Sequence, residues 1–323
     1  MRKVTMKDIA REANVSSATV SYIINQVDNQ TISEDTRSRV LDIAKKLNYV
    51  PNLTARALVK GKTGLLGLLL MRNSNDGFWR KLYWGMLTER LESLCKENGY
   101  HLLVSYIDTT NPSLNIVLER ELDGVFLVDV NSDVFNDISL HFQMGVPLIV
   151  MDSYIQDPLF FKVLPDYEDT FVKLRDLSQI DIKPSFLVTE SFNNKELTDH
   201  IISSSQVPAD SIYVLDNKNL QGLSSFLESQ RGKTGIVTNE FIGTLVANET
   251  ARLQLEVYIL CTGGCPHILP PTVKPILINP EADTAILSFE LMQHLLQTPI
   301  PSMVTNSKED PASHFIFSKF MRP

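Results

Sequence analysis

Residues 4–26 read VTMKDIAREANVSSATVSYIINQ, and how they divide into elements decides what the start of the chain is. Thr5 followed by Asp8 is a helix start of the capping-box kind, after which Ile9, Ala10 and Ala13 share one face. Asn14 stands at the helix end, since its side chain tolerates the left-handed backbone of a tight turn. Ser16 can cap a second helix through its hydroxyl, with Val20, Ile23 and Ile24 as the buried stripe and Asn25 as the expected end. Working outward, Ser33 caps a third helix whose apolar set is Val40, Leu41, Ile43, Ala44 and Leu47, and Tyr49–Pro51 stops it. Helix, four-residue turn, helix, loop, helix is the helix-turn-helix plan, in which the second helix lies in the major groove of DNA. Its exposed face is Ser16, Ser17, Ala18, Ser21 and Tyr22. Small hydroxyls at a helix N-terminus suit phosphate oxygens, because free N–H groups and the positive dipole end point there. The pattern alone leaves a three-helix protein-binding module open.

Charge supports a split between this segment and the rest. Residues 1–62 hold eleven Lys/Arg against six Asp/Glu, while the remaining residues hold 19 against 32, within a chain of 323 residues and net charge −8. A small basic segment joined to an acidic body fits a head that meets a polyanion. The three cysteines, Cys95, Cys261 and Cys265, suggest a reducing compartment with no disulfide framework. The start carries charge throughout and has no apolar signal core, so the cytoplasm is the expected location. Leu65–Met71 is too short to span a bilayer, and no membrane partner is expected. Cys261 and Cys265 lack the further ligands zinc needs, so they read as structural thiols, and neither metal nor cofactor is expected. No phosphate-loop, nucleophile-elbow or zinc-protease motif occurs, and no catalytic residue is assigned.

Residues 4–26, with TRSRVLDIAKKLNYVPNLTARAL at 36–58, resemble the N-terminus of the lactose repressor (LacI/GalR) family. The matching features are V-T-x-x-D-I-A, N-V-S-x-x-T-V-S and N-Y-x-P-N-x-x-A-R-x-L, with a loop two residues longer around Asp28–Thr31. The resemblance implies a double-stranded DNA operator read by a homodimer. Ser17, Ala18 and Tyr22 fall at the family's base-reading positions. Thr5, Ser16, Thr19, Ser21 and Asn25 fall where it contacts phosphates or orders the recognition helix. Ala18 offers only a methyl contact, and no arginine stands in the set to clamp a guanine. Residues 50–62, VPNLTARALVKGK, match the hinge, where Leu58 would wedge into a minor-groove base step and Arg56, Lys60 and Lys62 would neutralise phosphates. Packing of Leu58 on the following domain is the alternative.

Beyond the hinge, apolar strands alternate with amphipathic helices, the pattern of parallel sheets covered on both faces. Strands are expected at Leu65–Met71, Leu102–Ile107, Gly124–Asp129, Pro147–Met151, Ser185–Thr189, Ile212–Leu215, Gly235–Thr238 and Val257–Cys261. The clearest helical stripe is Trp79, Leu82, Tyr83, Met86, Arg90, Leu91, Leu94, closed by Gly99. The expected fold is an all-α helix-turn-helix at 1–49, a hinge at 50–62, and at 63–323 an α/β two-lobed domain with parallel sheets, like the periplasmic binding proteins. The first lobe would take about 63–164 and 280–300, the second about 165–279 and 301–323. No leucine heptad follows Pro301, so a dimer is expected rather than a tetramer.

Weaker family matches continue through LDGVFLV, GVPLIVMDSY, TNEFIG and LPPTVKPILINP. The departures bear on the effector. The family's G-[FY]-D-D appears as Cys261-Thr262-Gly263-Gly264, and near Phe192–Ile202 only Lys195 could replace a guanidinium. The family arginine expected around Met303–Ser307 is also absent. The candidate effector residues are Phe78, Trp79, Asp152, Lys195 and Asn239: an aromatic pair for a sugar face, polar groups for its hydroxyls. Against this, Phe78 and Trp79 could simply pack a helix on the sheet, and Asp152 could cap a turn. The expected modulator is a sugar or sugar phosphate, or a protein co-regulator. The alternative function is a sugar-binding or enzymatic α/β protein whose helical head binds protein.

Overall fold

The computed structural model describes residues 4–24, 31–49, 61–142, 145–176, 184–297 and 314–321. Asn25, Arg56, Leu58, Lys60, residues 50–60 of the expected hinge and the 303–307 segment lie outside these. Contacts divide the chain into two compact units, Met1–Thr63 and Gly64–Pro323.

The first unit contains α1 (Met6–Ala13), α2 (Ser17–Ile24) and α3 (Glu34–Lys46). The Asp8 carboxylate accepts from the Thr5 backbone N–H at 2.9 Å and from its hydroxyl at 2.7 Å. Asn14 takes the left-handed conformation (φ 53°, ψ 48°), which turns the chain into α2. Ser16 Oγ accepts from the Thr19 N–H at 3.0 Å, and Ser33 Oγ from the Thr36 N–H at 3.3 Å. Ile9, Ala10, Ala13, Val20, Ile23 and Val40 form the core, with Ile43, Ala44 and Leu47 packed on it. Leu41 does not join them. It lies about 100° around α3 from Val40 and is 48% exposed.

The second unit carries two parallel sheets. The first has the order β11-β5-β4-β3-β1-β2, from β1 (Leu65–Arg72), β2 (His101–Asp108), β3 (Gly124–Val128), β4 (Leu148–Met151), β5 (Phe161–Pro165) and β11 (Phe315–Ser318). The second runs β10-β9-β8-β6-β7, from β6 (Phe186–Glu190), β7 (Ile212–Leu215), β8 (Thr234–Val237), β9 (Glu256–Cys261) and β10 (Lys274–Leu277). The eight expected strands are all present within a residue or so; β5, β10 and β11 are additional. β10 and β11 are four-residue edge strands, one containing Pro275, and so lack the continuous apolar run of a central strand.

β11 corrects the lobe assignment. It pairs in parallel with β5, Phe315 opposite Lys162 through Ser318 opposite Pro165, so this part of 301–323 belongs to the first lobe. The pairing gives a short strand backbone partners that the second sheet does not supply. Two residues on, Phe320 bridges antiparallel to Ile278 and packs in the second lobe's core. The chain therefore crosses between the lobes there, as it does after β5 and after β10.

Helix α4 (Phe78–Glu97) follows β1 and buries Trp79, Arg80, Tyr83, Trp84, Leu87, Leu91 and Cys95. The expected stripe is rotated: Leu82 is 47% exposed, and Trp84 and Arg80 are inside. A helix that meets both its own sheet and the opposite lobe buries a wider arc than one stripe. Gly99 follows it with φ 77°, where a side chain would be strained.

Candidate nucleic-acid surface and interlobe cleft

Small caps set the geometry of the head. Ser17, Ala18 and Tyr22 are exposed on one side of α2, Ala18 and Tyr22 being one turn apart, while Val20 and Ile23 anchor the opposite side. Ser16 and Thr5 are exposed at the N-termini of α2 and α1; Thr19 and Ser21 are half-buried. Ser16 and Thr19 hydroxyls lie 2.9 Å apart, which fixes the first turn of α2. The described ion pairs of the head, such as Arg11–Asp8 and Lys46–Glu12, are exposed and weak, so these cations can exchange partners readily.

The cleft between the sheets is built differently. Helix α4 begins after β1 and places Arg80 against groups from both lobes. Its guanidinium donates to Asp129 at 2.6 Å and pairs with Glu190 at 2.9 Å; Asp76 lies 3.8 Å away. It also donates to the Ser191 carbonyl at 3.1 Å and sits 4.6 Å from the centre of the Phe192 ring. Asp129 follows β3 and belongs to the first lobe; Glu190 ends β6 in the second. Backbone strain aims the first-lobe acids: Asp129 and Asp152, after β3 and β4, both have positive φ (58° and 48°). Such values are uncommon outside glycine, though Asp tolerates them better than most.

Asparagines complete the seam. Asn193 donates to Asp129 at 2.8 Å and to the Met71 carbonyl at 2.9 Å. Asn194 caps α5 (Lys195–Ser205), accepts from the Tyr154 N–H at 2.8 Å and donates to the Val130 carbonyl at 3.0 Å. Asp152 accepts from the Tyr83 hydroxyl at 2.7 Å. Asn239 caps α6 (Glu240–Leu253) and donates to Glu190 at 3.3 Å. Glu240 is buried and accepts from the Gly263 and Cys265 N–H groups, which orders the turn that lacks the family carboxylate.

Electrostatics follow from burial. Burial works against the charge of Arg80, but Asp129 and Glu190 outweigh it and hold its pKa above the ordinary value. Burial pushes Asp129 up to about 7 and Asp152 up to about 6, and raises Glu190. The Arg80 guanidinium pulls all three acids down, and burial outweighs it at each.

The expected effector residues do not converge. Phe78 is 42% exposed and Trp79 is buried in the core, their rings edge to face, so they form no stacking platform. Lys195 is exposed at the start of α5. Asp152 and Asn239 are buried with intramolecular partners. None of the five lines either of two interlobe cavities, of about 500 and 600 Å³. Arg80, Asp129, Glu190, Asn193 and Asn194 were not expected. The available signals were a lone arginine within the aromatic run FWRKLYW and an aspartate directly after the apolar strand GVFLV.

Residues 5–52 match the family model described as "Bacterial regulatory proteins, lacI family". Catabolite control protein A of Staphylococcus xylosus is 34% identical over 171 residues, 51% of this chain and 49% of that protein. The ribose operon repressor of Haemophilus influenzae is 32% identical over 164 residues, 50% of this chain and 46% of that protein. The chain thus spans about half the length of these curated relatives. The lac repressor dimer bound to operator and the anti-inducer ONPF matches with a TM-score of 0.68 at 17% identity, covering 99% of this chain and 97% of that one, which is a likeness of fold.

Proposed function

We propose, from the premise that the chain belongs through residues 5–52 to the lacI family of bacterial regulatory proteins, that it is a sequence-specific DNA-binding transcription regulator, a repressor acting on a pseudo-palindromic operator as a homodimer. The observation that carries the reading is the outward face of α2: Ser17, Ala18 and Tyr22, which the resemblance puts at base-reading positions, stand exposed behind a first turn fixed by Ser16 and Thr19. A methyl, a phenol and small hydroxyls give sparse direct readout, so phosphate contacts would supply much of the affinity. Two half-sites require two heads, hence the dimer. Arg56 and Leu58 remain the proposed hinge contacts.

The reading rests on the head. Phe78, Trp79, Asp152, Lys195 and Asn239 are not carried forward as a sugar site, because their geometry does not make one. Selection of bound duplexes from a random pool, followed by titration across salt, tests the proposal. An enriched inverted repeat and log affinity falling linearly with log salt support it. Absence of any enriched sequence would instead favour a protein-binding head on an α/β body.

A further inference from the structure

In open α/β sheets, ligands settle outside the carboxyl ends of the strands. Here that space, between the ends of β1, β3 and β4 on one side and β6 and β8 on the other, holds an arginine of the chain itself. We propose that the part of the interlobe cleft at these strand ends is a guanidinium-binding site occupied in cis by Arg80, which fastens the two lobes together there without a small molecule. Three observations support this. The guanidinium has the environment of a bound ligand: carboxylates from both lobes, a backbone carbonyl and an aromatic face at 4.6 Å. Such a fork matches a planar, always-charged donor and would match a lysine poorly. The surrounding polar groups already have partners. Among the described residues, Trp84 Nε1 and Ser288 Oγ are the buried side-chain polar atoms with none, and neither belongs to this network. Finally, the loop after β6 is drawn onto the first lobe by the same acid that holds Arg80, since the Asn193 and Asn194 N–H groups both donate to Asp129 at 3.1 Å.

A ligand shifts a conformational equilibrium only through its differential affinity for the two states. A cation built into one lobe and bound by the other biases the closed state permanently. The inference concerns the lobes alone and stands or falls separately from the DNA-binding reading.

The test is hydrogen exchange on the full-length protein without DNA, following segments 129–132 and 190–197. Arg80→Ala is expected to speed exchange in both by about tenfold or more, as local opening replaces a closed seam. Methylguanidinium at about 10 mM is expected to restore protection in that variant, and methylammonium to restore less, because only ligand that binds the closed state stabilises it. Glucose, ribose and glucose 6-phosphate are expected to leave both segments of the unmodified protein unchanged. Unchanged exchange in Arg80→Ala, or new protection by any of these sugars, would overturn the proposal. Should Arg80→Ala fail to fold, Glu190→Gln and Asp76→Asn decide it. The first neutralises the cross-lobe carboxylate and should speed exchange at 190–197. The second removes a carboxylate from Arg80's own lobe and should not; equal effects from the two would sink the idea.

Discussion

The outward face of α2 and the seam between the sheets are both lined with polar side chains, but those side chains find their partners in different places. On α2, Ser17, Ala18 and Tyr22 face water above a core of six small and medium residues. In the seam, Arg80, Asp129, Glu190 and Asn194 are buried and bonded to one another across the lobes. Exposure leaves the first region able to take an external partner at little desolvation cost. Burial commits the second to the protein's own stability, since separating any one charge from its partners leaves the others unpaired in a poorly solvated site. The contrast distinguishes an open surface from a buried joint.

Removing the charge at the joint should produce the largest effect. Arg80→Met is expected to destabilise the larger unit by about 3–5 kcal/mol, the usual cost of orphaning buried charges, measured by denaturant unfolding. A loss below about 1 kcal/mol would place the seam with ordinary surface pairs. The same network makes stability depend on pH. Asp129 titrates at about 7 when folded against an ordinary value of 3.8, so the folded state binds the proton more tightly. Its contribution is therefore fully present below about pH 4 and is lost as pH rises toward 7, by linkage. Asp129→Asn should flatten that part of the stability–pH curve; an unaltered slope would assign it to other groups.

On the recognition face the effects should be smaller and of another kind. Tyr22→Ala is expected to cost about 1–3 kcal/mol of discrimination at one operator base pair, with thermal stability unchanged. A uniform loss across sequences would make Tyr22 a phosphate contact rather than a base reader. Ser16→Ala removes the cap of α2 and should cost about 0.5–2 kcal/mol in the head, leaving the larger unit's transition in place. Calorimetry resolving the two units checks it; a shift of both transitions together would show the head unfolding only with the body.

The head was legible because its signals are local. Thr5–Asp8, Asn14, Ser16 and Ser33 each act within a turn of their own position, and the structure places them as helix caps and turns. Leu41 was misread because neighbours on α3 differ by about 100°, and one-dimensional grouping blurs that angle. The central strands were equally legible from their unbroken apolar runs. Edge strands were not: β10 and β11 are short and half-exposed, and only pairing defines them. The cleft was the hardest to read. Trp79 packs in the core and Asp152 is held by Tyr83, while Arg80 reaches a loop more than a hundred residues away.

The amino-acid order by itself determined the helical head, its caps, the alternation that yields two parallel sheets, and which side chains of α2 face outward. Each of these follows from forces acting over a few residues: caps, periodicity and the alternation of apolar with polar positions. Only the tertiary structure decided that β11 completes the first sheet and that Arg80 joins acids of both lobes. Both depend on partners remote in the chain, β5 for the strand and Asp129 and Glu190 for the arginine. The stability of a buried charge is set by what surrounds it, and the chain acquires those surroundings only when the lobes close on each other.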